Sequence, residues 1–492
     1  MSFSVYDYLH KGEYYTDFSF LNKGELFPSK EIIGRNIIYK YRHRQYTGQY
    51  SYNKNLIIRM KDREMEIPYK VMSTNYFKLL TNKITDIIFN NDIIVKSGDI
   101  ERDKRIQDLI ENTQFFDKIR SGFKKTTEFG DAGIKVYKNG VSIFNMTRGF
   151  KVVDANNIED IKAEVLYYPI FGKKDNYIDF QIYQESKVFE IVKKYYGADK
   201  DNFGFIQGTI GESVDYEIKG RKIPAGGVWY DTGISDVIPV NIMSINQEAN
   251  GIYGESLYQD IQDIVYGIEQ RLSVNMHLLD NSMTPFIVVG SNMVTQNERT
   301  GKVELKLING QVMVSDHGNT DAQVIELNYN LDNSNDMLAT LKEFLYELSE
   351  MGRTFLSGEM TGNPSEETIN NVLKSSIDKA NRLITEVYYT VRNSLYCLCL
   401  LNGIDIKKSD LNIIFNIGRT DSDKNIADVS SELVNNKILS RRSVRQKYFG
   451  YNDEQSDQED IQIVREAELN VPDAHIDNSL DENNWIFKSI HC

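Results

Sequence analysis

Phe355-Leu-Ser-Gly-Glu-Met-Thr-Gly362 runs directly into Asn363-Pro-Ser-Glu366, and the two segments read as a glycine-containing loop and the start of a helix. Gly358 and Gly362 are free to take positive φ. Asn at the N-cap, Pro at the first helical position and Glu two residues after it resemble a capping box. Downstream, Ile369, Val372, Leu373, Ser376, Ala380, Leu383, Val387, Val391, Leu395 and Leu398 keep a stripe at steps of three and four until Asn402-Gly403 closes it. Upstream, Met337, Leu341, Phe344, Leu348 and Met351 fall on one face of a second helix.

Before that helix, Leu257, Ile261, Ile264, Ile268, Leu272, Met276 and Leu279 predict a third, about 40 Å long at 1.5 Å per residue, which Pro285 ends. Its polar face carries Asp260, Asp263 and Glu269, fit for solvent or for a water-filled channel. Between the two helices, Phe286 to Val289, Val303 to Ile308, Val312 to Val314 and Val324 to Leu327 predict a compact strand-rich insertion. After the longest helix come a strand at Leu411 to Ile417, a helix near Ile426 to Val434, a short helix opened by Ser440 and an acidic helix from Asp457 to Leu469. Residues 471–492 are acidic and polar, the composition of a disordered tail.

The first half reads differently. Residues 1 to about 70 show no clear period. Phe77, Leu80, Ile84 and Ile87 predict one helix, and Phe115, Ile119, Phe123 and Thr126 another. Asn139-Gly140 between two alternating runs predicts a hairpin. Ala163 to Phe171, Tyr177 to Gln184 and Val188 to Tyr195 extend it to an antiparallel sheet, and the glycine-rich run from Gly204 to Gly233 reads as loops. Helical runs and antiparallel strand runs both occur, and the fold class is read as α+β.

Composition narrows the function. A net charge of -14 argues against gripping nucleic acid through an overall basic surface, and leaves room for a protein that lets DNA slide past. No run approaches the roughly 18 apolar residues of a membrane span, and the start lacks the basic and apolar regions of a secretory signal, so the expectation is no membrane and a start in the cytoplasm. Cys397, Cys399 and Cys492 offer no disulfide framework.

Chemistry-bearing patterns are sparse. His10, His43, His277, His317, His475 and His491 are scattered, without metal-ligand spacing. Cys397 and Cys399 lie two apart in a helical stripe, so their side chains diverge. Gly204, Gly208 and Gly211 miss both phosphate-binding fingerprints. Glu304-Leu-Lys306 fits the acid-x-lysine end of a metal-dependent nuclease, in a chain where such triplets also occur by chance. Arg441, Arg442, Arg445 and Lys447 sit beside an acidic helix, where salt bridges are the simplest outcome. No catalytic residue, metal or cofactor is assigned.

The order of elements from about Tyr69 to Glu468 resembles the portal proteins of long-tailed double-stranded DNA bacteriophages. The echoes are Pro239 before Gly254-Glu-Ser-Leu-Tyr-Gln-Asp-Ile261, Leu356-Ser-Gly-Glu359, Phe415-Asn-Ile-Gly-Arg419-Thr, Ile438-Leu-Ser440, and the acidic segment from Asp457 through Arg465-Glu-Ala-Glu468. The resemblance implies a wing at 1–251, stem helices at 252–284 and 333–355, a clip at 285–332 and a tunnel loop at 356–364. It further implies a helix and strand completing the wing at 365–420, a crown at 421–470 and an acidic tail at 471–492. Ser357, Gly358, Glu359, Met360, Thr361, Gly362 and Asn363 would border the DNA channel at the tunnel loop, and Asp260, Asp263 and Glu269 would line the stem. That loop carries Glu359 and no lysine.

The implied activity is a non-enzymatic ring of about twelve subunits at one capsid vertex, through which double-stranded DNA is packaged and ejected. The implied partners are the terminase large subunit, a head–tail connector, and the major capsid and scaffold proteins, with assembly in the host cytoplasm. Two alternatives stand beside it: a metal-dependent nuclease using Glu304 and Lys306, and a non-portal ring or adaptor of a virion.

Overall fold

The computed structural model describes residues 14–49, 53–60, 63–172, 174–197, 207–234, 237–247, 251–282, 286–290, 295–296, 303–304, 311–315, 323–325, 331–357, 366–417, 430–448 and 453–469. Two units divide the chain, residues 1–418 and 419–492.

In the first unit, β1 (Leu26–Phe27) leads into α1 (Lys30–Thr47), whose N-cap Ser29 hydroxyl accepts the Ile32 N–H at 3.3 Å. The hairpin of β2 (Asn53–Met60) and β3 (Arg63–Lys70) follows. This corrects the reading of residues 1–70 as irregular. The period was hidden because α1 buries Arg35, Asn36, Arg42 and Gln45 beside Ile32 and Tyr39, so its inward face is largely polar.

Next come α2 (Tyr76–Phe89), β4 (Ile93–Lys96), α3 (Ile100–Thr113) and α4 (Phe115–Phe129). The helix α3 was not anticipated, and it buries only Ile106 and Ile110. The expected hairpin forms from β5 (Asp131–Tyr137) and β6 (Gly140–Phe144). Its two loop residues are Lys138 and Asn139, because Gly140 is already paired with Tyr137.

The predicted sheet is present and larger: β7 (Gly149–Val153), β8 (Ile161–Phe171), β9 (Asn176–Tyr183), β10 (Lys187–Tyr196) and β11 (Gly208–Ser213) are successive antiparallel neighbours, with β1 on the β11 edge. The stretch read as glycine-rich loops holds β11, β12 (Tyr216–Ile218), β13 (Arg221–Ile223) and β14 (Val228–Asp231), the last paired with β10. Gly208 and Gly211 are strand glycines, since a Cβ there would strike the rings of Tyr195 and Tyr196 on β10. Finally β15 (Val240–Ser244) pairs with β5, completing a three-stranded sheet ordered β15-β5-β6.

The helix α5 covers Gln262–Ser282, about 32 Å at 1.5 Å per residue. It begins later than the apolar stripe, and residues 257–261 form a turn. The reason is local: the Leu257 N–H donates to the Thr127 carbonyl (3.2 Å) at the end of α4, so this segment is bound before a helix can take it up. The insertion holds β16 (Phe286–Gly290), β17 (Thr295–Gln296), β18 (Val303–Glu304), β19 (Gln311–Ser315) and β20 (Gln323–Ile325). Its three-stranded sheet is ordered β19-β16-β20, parallel on the first side and antiparallel on the second.

There follow α6 (Asp332–Leu348), α7 (Arg353–Ser357), α8 (Glu366–Leu401) and β21 (Asn412–Phe415), which pairs antiparallel with β4. The main core surrounds α8: Ala380, Leu383, Val387, Val391, Leu395 and Leu398 pack with Phe77, Ile84, Phe115, Phe123, Ile134 and Tyr258. A second, aromatic core backs the large sheet, where Phe27 meets Tyr167 and Phe180 at centroid distances of 5.0 Å and 5.0 Å.

The second unit, taken by itself, has residues 430–435 helical, then α9 (Arg441–Tyr448) and α10 (Asp453–Leu469). Ser440 caps α9 by accepting the Ser443 N–H at 3.0 Å. The expected tail at 471–492 lies outside the described residues.

Candidate functional site

The segment 252–259 roots α5, and a buried polar knot holds it. Gly254 passes so close to the corner between α4 and β5 that a Cβ on Gly130 would collide with the Gly254 carbonyl, and Gly130 itself has φ +92°. Asp131 is the hub. Its carboxylate accepts from the Tyr39 hydroxyl at 2.7 Å, the Ser244 hydroxyl at 2.6 Å and the Gly254 N–H at 2.9 Å. Burial pushes its pKa up, and Lys151, Ser244, Gly254 and Tyr39 oppose that rise.

Lys151 donates to the Ile252 carbonyl at 2.8 Å, and the Arg35 guanidinium lies 3.6 Å from the centre of the Tyr253 ring. Arg42 bonds Gln45 at 2.8 Å, Gln262 at 3.0 Å and also Gln259. Thus α1, the stretch without a legible period, ties down the start of α5. Glu164 lies in the same knot, and burial raises its carboxyl to about 8.

The structure separates the three acids expected on the polar face of this helix. Asp260 and Asp263 are exposed. Glu269 is fully buried and accepts from the Thr74 N–H at 2.7 Å and the Thr74 hydroxyl at 2.9 Å, so in this chain it is not on the solvent face. The reason is the strap before α2, which crosses α5 at Thr74 and again at Met72, whose N–H donates to the Ser273 hydroxyl at 2.9 Å.

The helices α5 and α6 pair through Gly267, which faces Leu341, and through the Ser334 hydroxyl, which donates to Asn275 at 2.6 Å. Leu345 is buried and Leu341 half-buried at this seam. The predicted single face of Met337, Leu341, Phe344 and Leu348 therefore divides, because Met337, Phe344 and Leu348 stay exposed.

An elbow follows α6. Glu350 takes φ +55° and Gly352 approaches the Val372 carbonyl, which leaves no room for a larger residue. The elbow is pinned to α8 by Lys379, which donates to the Ser349 carbonyl at 2.8 Å, by Arg382, which bonds both Glu350 carboxylate oxygens at 2.8 and 2.7 Å, and by Ser376, whose hydroxyl accepts the Gly352 N–H at 3.2 Å. Burial lowers the Lys379 pKa while Glu350 supports its charge. From here α7 delivers Ser357. Gly358, Glu359, Met360, Thr361, Gly362 and Asn363, with the expected cap, lie outside the described residues.

Lys379 and the Asp131 knot were missed from sequence. Ser376 and Lys379, polar positions within the apolar stripe of α8, were a signal for the elbow; Asp131 left none in hydropathy.

Among the described residues, the remaining candidates form no catalytic arrangement. Cys397 and Cys399 are buried, and burial pushes both thiols up to about 12. Glu304 is paired in register with Thr295 across β17 and β18, and Lys306 lies outside the described residues. Among the described residues no group of three potential metal ligands occurs, and no helix is long and apolar enough to cross a membrane. Two residues of the basic cluster form local pairs: Arg442 with Asp457 at 3.0 Å and Arg445 with Asp460 at 2.7 Å.

Against known proteins, the family model described as phage portal protein, SPP1 Gp6-like, matches residues 37–469. No curated protein matches the sequence. Among solved structures, the chain is similar at 11% identity to a chain in the neck of an empty gene transfer agent particle computed with C6 symmetry, with a TM-score of 0.38 over 75% of this chain and 87% of that one. It is also similar, at 11% identity and a TM-score of 0.34, to a chain in the virion of a native gene transfer agent particle, covering 76% of this chain and 88% of that one.

Proposed function

This chain belongs to the phage portal protein family, SPP1 Gp6-like, a structural and non-enzymatic family of the virion, and from that premise we propose that about twelve copies close into a ring that conducts double-stranded DNA. In this reading residues 1–251 and 365–420 form the wing and α5 and α6 the stem. The insertion 285–332 forms the clip, 356–364 the tunnel loop and 421–470 the crown. The clip docks the terminase large subunit during packaging and the head–tail connector afterwards, while the wing meets the major capsid and scaffold proteins, with assembly in the host cytoplasm.

The single observation that supports the stem assignment best is the division of faces on the paired helices. Leu341 meets Gly267 at the seam and Leu345 is buried, while Asp260, in the turn before α5, and Asp263, in its first turn, are exposed. Carboxylates on a channel wall repel phosphates weakly all round, so DNA slides, whereas a basic wall binds it and releases counterions. The test is assembly: purified chain, alone and with scaffold protein, examined by negative-stain electron microscopy and mass measurement, should give closed rings with a central hole.

A further inference from the structure

The helix α6 carries two unlike surfaces. Met337, Phe344 and Leu348 stand 45%, 46% and 46% exposed, and at 3.6 residues per turn they fall within about 40° of one another, forming an apolar ridge. On the far side, Ala339 and Lys342 line a cavity of about 530 Å³ with Tyr76 and Leu79 of α2 and Arg353 and Leu356 of α7. Ala339 and Phe344 are about 140° apart around the helix axis. One molecule therefore presents a ridge on one flank and a socket on the other.

The charged residues lining the socket are Lys342, Glu343 and Arg353, a net positive charge that complements the acidic border of the ridge. Exposed Asp336 and Glu347 border the ridge. In the socket, Lys342 has no carboxylate partner among the described residues, and Arg353 pairs only across exposed surface with Glu343 at 3.4 Å. Covering the exposed half of three apolar side chains would favour a contact there.

We propose that the ridge of Met337, Phe344 and Leu348 seats in the α2–α6–α7 socket of a second copy of this chain, with Lys342 and Arg353 meeting Asp336 and Glu347. A contact between two different patches on opposite flanks repeats in one direction and closes into a ring if the rotation allows. The inference rests on the ring reading above and gives it a defined surface.

The test uses the full chain in a Cys492→Ser background carrying Ala339→Cys and Phe344→Cys together. Within one helix these two positions face apart and cannot form a disulfide, so any bond between them joins two copies. Oxidation of assembled rings should give a ladder of covalent multimers on a non-reducing denaturing gel, absent from either single variant. Rings without a ladder overturn the inference and leave the ring reading intact; wild-type chain that forms no ring even with scaffold overturns the ring reading itself.

Should the cysteine pair block assembly, charge exchange decides. Lys342→Glu and Glu347→Lys should each weaken assembly about tenfold, and the double exchange should restore it. A double variant no better than the singles overturns the inference.

Discussion

The ammonium group of Lys379 on α8 lies 2.8 Å from the carbonyl oxygen of Ser349, the residue that closes α6. A buried cation thus finishes one long helix from the side of another, at the point where the chain turns toward the segment 358–363. Its neighbour Arg382 makes a two-pronged bond to Glu350, with side chains 51% and 47% exposed. The two contacts touch the same elbow in different solvent.

Lys379→Met should cost about 1 to 3 kcal/mol, because it leaves the Ser349 carbonyl without its donor in a buried place. Arg382→Met should cost under about 1 kcal/mol, since water screens and replaces an exposed pair. Denaturant unfolding of the first unit checks the order of the two, and equal effects would contradict the buried character of the Lys379 contact.

Glu164 should make stability fall as pH rises. Burial lifts its folded pKa to about 8 from an ordinary 4.5, so between those values the folded chain holds a proton that the unfolded chain has released. The stabilisation is complete below about pH 4.5 and is lost as pH rises through 8, on the order of a few kcal/mol. Unfolding curves from pH 5 to 9 should show this slope in the wild type and a flatter one in Glu164→Gln.

Gly130 and Gly403 should respond differently to alanine. Both have positive φ, +92° and +70°, but a Cβ on Gly130 would enter the Gly254 backbone while Gly403 borders open space. Gly403→Ala should therefore cost about 1 to 2 kcal/mol of backbone strain alone. Gly130→Ala adds a clash at the root of α5 and should cost clearly more, with loss of soluble folded protein as the extreme.

On the proposed ring, Asp260 and Asp263 should matter for transport and not for folding. Asp260→Lys with Asp263→Lys places cations at two exposed positions, so stability should change by less than about 0.5 kcal/mol. Packaging measured in vitro should slow and become more sensitive to salt as phosphates bind the new charges. Unchanged packaging at low salt would remove these residues from the channel wall.

What the sequence made legible follows from where apolar side chains do the packing. The helix α8 ends where the Asn402-Gly403 signal says, because Ser376, Ala380, Leu383, Val387, Val391, Leu395 and Leu398 are buried along its stripe and Gly403 takes the left-handed turn. The strands β8, β9 and β10 were equally readable through alternation. The helix α1 was not, because Arg35, Arg42 and Gln45 are buried through hydrogen bonds and ring contacts that a hydropathy period cannot register. Glu269 misled for the same reason: a carboxylate on a polar helix face reads as solvated, and only the strap at Thr74, almost two hundred residues earlier in the chain, reveals its burial. Met337, Phe344 and Leu348 erred the other way, since an apolar stripe shows that a face needs covering and not what covers it.

Electron microscopy of the purified chain with parallel mass measurement tests the central claim most directly. The account expects closed rings with a central hole and a mass near about twelve subunits. A monomer that persists at high concentration and in the presence of scaffold protein would contradict it.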